Sequence, residues 1–99
     1  MRQWTTPTNT FDTDIDLTNA EVIFITYKQN GHTIFEKTKE DMEITAESIS
    51  VKLTQKETGL LDHDIPVRIQ IRARFADGSA PGSNIMVVSV EEALKTGEI

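Results

Sequence analysis

A chain of 99 residues, 37% of them apolar, has room for one domain with a small core. Sixteen acidic residues against ten basic ones give a net charge of −6, a field that disfavours nucleic acid and anionic membrane surfaces as partners. The absence of cysteine excludes a disulfide framework and any cysteine-based zinc site. No apolar run approaches the roughly 20 residues of a membrane-spanning helix, and no apolar segment follows Arg2 as it would in a secretory leader.

In chain order, residues 1–10, "MRQWTTPTNT", read as an extended N-terminal arm, with Pro7 holding the backbone open. Trp4 either folds back onto the domain or anchors a partner. "FDTDIDLTNA" follows, with Asp12, Asp14 and Asp16 alternating as in a calcium loop. An EF-hand starting at Asp12 would need glycine where Leu17 stands and glutamate where Ile23 stands. The simpler reading is that Asp16 turns the backbone ahead of a strand by accepting nearby N–H bonds.

"AEVIFITYK", residues 20–28, has the β-branched and aromatic content of a strand. It is apolar on both faces at its start, which predicts cover on both sides there or a position under the N-terminal segment. Asn30-Gly31 between two strand-like runs predicts a tight hairpin, since a type I′ turn requires two positive φ angles. "DMEIT" (41–45) is a weak short strand. "ESISVKLT" (47–54) alternates cleanly, with Ile49, Val51 and Leu53 on one face. Thr54 and Glu57 have capping-box spacing, which predicts one helical turn ended by Gly59, with Leu60 and Leu61 tucked beneath it.

"IPVRIQIRARFADG" (65–78) is the clearest strand in the chain. Ile65, Val67, Ile69, Ile71, Ala73 and Phe75 share one face; Arg68, Gln70, Arg72 and Arg74 share the other. Asp77-Gly78 marks a turn, "NIMVVSV" (84–90) the last strand, and the tail 91–99 has room for one helical turn. Six or seven short strands with turn signals every 8–12 residues or so predict an all-β, immunoglobulin-like antiparallel β-sandwich, with a small barrel as the alternative. The whole chain, 1–99, is one domain on this reading.

Catalytic signals are sparse. There is no Gly-x-Ser-x-Gly and no phosphate-binding glycine loop. Asp62-His63-Asp64 sets carboxylates beside an imidazole, but adjacent loop residues seldom converge on one point. No enzyme activity, cofactor or metal is expected. The arginine row is more informative. Arg68, Arg72 and Arg74 on one face of an acidic protein need an answering charge: carboxylates across the sheet, with Glu36 and Glu43 in plausible reach, or an acidic face of another subunit.

With these elements placed, the order of short motifs becomes informative. "DLTNAEVIFITYKQNGHTIFEK" and "ISVKLTQKETGLLDHDIPVRIQIRARFADGSAPGSNIMVVSV" resemble the immunoglobulin-like N-terminal module of phage baseplate upper proteins. The opening "MRQWTTPTNTF" and the ending "EEALKTGEI" are similar to small structural proteins of prophages in Gram-positive bacteria. Asn19 replaces the glycine usual after Asp-Leu-Thr, and asparagine tolerates the left-handed backbone such a turn uses. The resemblance implies a non-enzymatic structural or assembly protein of a tail, baseplate or head–tail junction. Its partners would be other phage structural proteins or further copies of itself. It would act in the host bacterial cytoplasm during assembly and in the virion. Trp4, Arg68, Arg72 and Arg74 are the expected contact residues. A free-standing carbohydrate-binding or adhesin-like sandwich is the alternative function.

Overall fold

The computed structural model describes residues 1–99. Its strands are β1 (Thr8–Asp12), β2 (Val22–Gln29), β3 (His32–Thr38), β4 (Met42–Ile44), β5 (Ser48–Lys52), β6 (Val67–Arg74) and β7 (Met86–Val88). A 3-10 turn spans Lys39–Asp41, and one helical turn, α1 (Gln55–Gly59), joins β5 to β6. The strands form two antiparallel sheets, ordered β1-β5-β4 and β3-β2-β6-β7. After β1 the chain changes sheet in pairs of strands, β2–β3, β4–β5 and β6–β7, with β2 and β6 paired at the centre of the larger sheet, and the protein is an immunoglobulin-like sandwich of seven strands.

Local chemistry accounts for the connections. Asn30 (φ 50°) and Gly31 (φ 79°) both take positive φ, which closes the β2–β3 hairpin as the dipeptide predicts. Thr54 Oγ1 accepts the Glu57 amide (3.1 Å), and the Glu57 carboxylate accepts the Thr54 amide (2.9 Å), so α1 begins with a complete capping box. Asp16 and Asp77 make equivalent turns. Each carboxylate accepts a backbone amide and a hydroxyl two residues on, from Thr18 and Ser79 respectively. Those bonds hold both carboxyls below the usual aspartate range.

The core lies between the sheets. Ile23, Ile25 and Tyr27 from β2, Val67, Ile69, Ile71 and Ala73 from β6, and Ile49 and Val51 from β5 supply most of it. Two polar contacts cross this apolar layer. The Tyr27 hydroxyl donates to Asn9 Oδ1 (2.7 Å), joining the four-stranded sheet to β1. Lys37 on β3, its side chain only 9% exposed, pairs with Glu57 on α1 at 2.7 Å. Burial, and then the Glu57 charge, push the Tyr27 hydroxyl far above the usual phenol range, so it remains a donor. Phe35 stacks on the same tyrosine ring, with centroids 4.4 Å apart.

Four local expectations change. The N-terminal arm is not free: its residues from Thr8 onward are β1, paired with β5, and Met1–Gln3 lie along Glu91 through two backbone bonds. "TNTFD" hid this strand because Phe11 is its one apolar residue. The start of β2 is not covered on both faces, since Phe24 is 40% exposed. Leu61 is buried as expected, but Leu60 is exposed; the single turn of α1 aims the two in different directions. The tail 91–99 forms no helical turn. It follows β7 past Arg2 and ends with the Ile99 backbone bonded both ways to the Gln55 amide.

Replacing Tyr27 with Phe leaves Asn9 Oδ1 without its donor. Tyr27→Phe is expected to lower the unfolding free energy by about 1–2 kcal/mol. Adding Asn9→Leu is expected to recover part of that loss, because both partners are then apolar. Urea unfolding of the two variants checks the order; a double variant less stable than Tyr27→Phe alone would contradict it.

Candidate functional site

The alternation that buries one face of β6 turns its other face outward. Arg68, Gln70, Arg72 and Arg74 lie on the outer face of the four-stranded sheet, and the three arginines are exposed. Register identifies their neighbours. Arg68 stands directly opposite Lys28 on β2 and Val87 on β7. Arg72 stands opposite Phe24, and Arg74 opposite Val22. The face is thus four cations around an apolar patch, with Phe24 40% and Val87 64% exposed.

Internal carboxylates do not answer this charge in the way the sequence suggests. Glu36 is two strands away from β6, where it accepts the Thr26 hydroxyl (2.7 Å). Glu43 belongs to β4 in the other sheet. Arg74 reaches a carboxylate, that of Glu21, at 3.8 Å with both side chains more than half exposed, a geometry of little energetic weight. Arg68 and Arg72 have no ion-pair partner, and Lys28 directly across from Arg68 adds repulsion.

Trp4 lies elsewhere and plays a structural part. The chain reverses there with a positive φ of 59°, and the indole lies against Gly59 of α1. A Cβ on Gly59 would overlap the six-membered ring. Gly59 is therefore required for this contact and does not serve as a left-handed helix cap; it is not among the positive-φ glycines. Thr58, fully buried, bonds the Thr5 backbone on both sides, its hydroxyl accepting from the amide (3.0 Å) and donating to the carbonyl (2.8 Å). The tryptophan thus folds back onto the domain and is not grouped with the arginines.

The Asp62-His63-Asp64 loop converges more than adjacency suggests. The three side chains bring potential ligand atoms within 4.8 Å of one another, and Glu92 Oε2 approaches His63 Nε2 to 3.6 Å. All are exposed. The shape has a cause inside the protein: the buried Gln29 amide donates to the Asp62 and Ile65 carbonyls and accepts the Asp62 amide. Of the opening aspartates, Asp16 is committed to Thr18. Asp12 and Asp14 border a groove of about 330 Å3 between the end of β1 and the β6–β7 connection.

No family model matches the chain. No curated protein matches it. Among solved structures it is similar to the immunoglobulin-like domain of mouse leukocyte-associated immunoglobulin-like receptor 1, crystallised as a strand-swapped dimer. That match has 15% identity and a TM-score of 0.49 over 92% of this chain and 84% of that one. It is also similar to the V domain of amphioxus IgVJ-C2, with 10% identity and a TM-score of 0.38 over 90% and 95% of the two chains. The fold assignment rests on strand order and register, and these remote likenesses add no functional argument.

Gly59→Ala is expected to expel the Trp4 ring, at a cost of about 1–3 kcal/mol typical of overpacking. The readout is tryptophan emission shifted to the red together with a lower melting temperature. Unchanged emission and stability would show that the indole does not rest on Gly59.

Proposed function

We propose that the protein is a non-enzymatic interaction module of a phage or prophage particle that docks through the outer face of its four-stranded sheet. The observation that carries this reading is the row of Arg68 and Arg72, unpaired within the chain, beside exposed Phe24 and Val87 on a molecule of net charge −6. Exposed arginine next to aromatic and aliphatic surface is the composition of an interface centre. The partner that fits is an acidic, partly apolar face of another structural subunit of the particle. The motif order shared with baseplate modules supports a place in a tail, baseplate or head–tail junction. On this reading the protein acts in the host bacterial cytoplasm during assembly and then in the virion. A sugar-binding role finds less support, because Phe24 is the one aromatic ring among the exposed large apolar side chains.

Arg68→Glu separates binding from stability. It places a carboxylate opposite Lys28, so stability is expected to hold or rise by about 0.2–0.5 kcal/mol. The double variant Arg68→Glu/Arg72→Glu is expected to weaken capture of structural proteins encoded beside this gene by roughly 100-fold, as loss of central interface cations does. Retained capture by a folded double variant would remove the face from the interaction. Absence of the native protein from purified particles and from assembly intermediates would remove the phage assignment.

A further inference from the structure

The edge strands of the two sheets are not equally protected. An exposed sheet edge is normally blunted by shortness, by an inward-pointing charge, by a bulge or by cover. β4 and β7 are three residues each. β3 carries the inward Lys37, and its pairing with β2 contains a register shift. β1 has none of these: "TNTFD" is five residues without lysine or proline.

Register identifies its free backbone groups. The Leu53 amide bonds the Pro7 carbonyl and the Thr13 amide bonds the Glu47 carbonyl, so the odd-numbered residues of β1 face β5. The N–H and C=O groups of Thr8, Thr10 and Asp12 therefore point away from β5, to the open side. Beside the upper end of this edge lies the 330 Å3 groove, floored by Phe11, Leu17, Ile71, Ala73 and Met86, with exposed Asp12 and Asp14 at its rim. Its wall also includes Thr13, whose hydroxyl is the buried side-chain oxygen lacking a hydrogen-bond partner.

We infer that β1 and this groove form a second binding site, for an extended peptide segment that carries an apolar side chain flanked by lysine or arginine. The segment adds to the Thr8–Asp12 edge through main-chain bonds, the mode in which backbone gives affinity and pockets for alternate side chains give selectivity. Its apolar side chain enters the groove, a volume within the range of ligand pockets. A flanking cation meets Asp12 and Asp14 at the rim of the groove. This site is separate from the arginine face: the groove meets the inward side of β6 at Ile71 and Ala73, and the arginines project from its outward side.

The probe is the blocked pentapeptide Lys-Val-Leu-Val-Lys, titrated into 15N-labelled protein. The expected result is amide shift changes confined to residues 8–17, Ile71, Ala73 and residues 81–86. Three controls are expected to weaken binding by about tenfold or more, the equivalent of one lost hydrogen bond or charge contact. They are the protein variant Thr10→Pro, the protein variant Asp12→Asn/Asp14→Asn, and the same peptide N-methylated at alternate amides. Thr10→Pro removes an outward-facing N–H and the exposed Thr10–Ser50 hydroxyl bond, and leaves the backbone bonds of the β1–β5 ladder intact. The doubly neutralised variant keeps its backbone whatever the proline does. No shift changes, changes confined to the arginine face, or equal affinity for Glu-Val-Leu-Val-Glu would each overturn the inference.

Discussion

Two polar contacts between the sheets, across a mostly apolar interior, hold this sandwich in register. With no cysteine, it has none of the inter-sheet disulfide of antibody domains. Instead Tyr27 on β2 reaches Asn9 on β1, and Lys37 on β3 reaches Glu57 on α1, the turn that leaves the three-stranded sheet. Both are specific in direction and distance, whereas apolar packing alone tolerates sliding. The same Glu57 carboxylate closes the capping box of α1, so one side chain fixes the helical turn and pins it to the opposite sheet. α1 then holds the N-terminal segment through Thr58 and Gly59.

A clamped interior leaves the two outer faces free to differ. On the three-stranded sheet, Thr10 and Ser50 bond to each other, and the surrounding surface is Thr8 and Ser48 with charges of both signs, Asp12, Glu43 and Lys52. On the four-stranded sheet the outward positions include Lys28, Arg68, Arg72 and Arg74 around Phe24 and Val87, with Glu36 on the same face bonded to Thr26. An acidic chain that concentrates unpaired cations and apolar surface on one face has a chemically marked side. Fold alone does not assign a role to that side; its residues do.

Much of this was legible in the sequence because the physical signal was local. The Asn30-Gly31 hairpin, the Thr54/Glu57 capping box and the alternation of β6 each follow from a short stretch of residues and appear in the structure as read. What stayed hidden depended on distant partners. β1 has one apolar residue and is a strand because β5 pairs with it. Gly59 looked like a helix terminator, but its missing side chain makes room for Trp4, far away in the chain. The arginines were found by their spacing, but whether Glu36 and Glu43 met them depended on sheet order, which periodicity does not contain.

Site-resolved hydrogen exchange under native conditions tests most directly whether the polar clamp makes the two sheets one unit. The account predicts that ladder amides of β2 and β6 and those linking β5 to β1 share a single protection free energy, equal to the global unfolding value. Lys37→Met should lower it for all of them together. Markedly weaker protection across β1, β5 and β4, unmoved by Lys37→Met, would show that the three-stranded sheet opens on its own and would contradict the account.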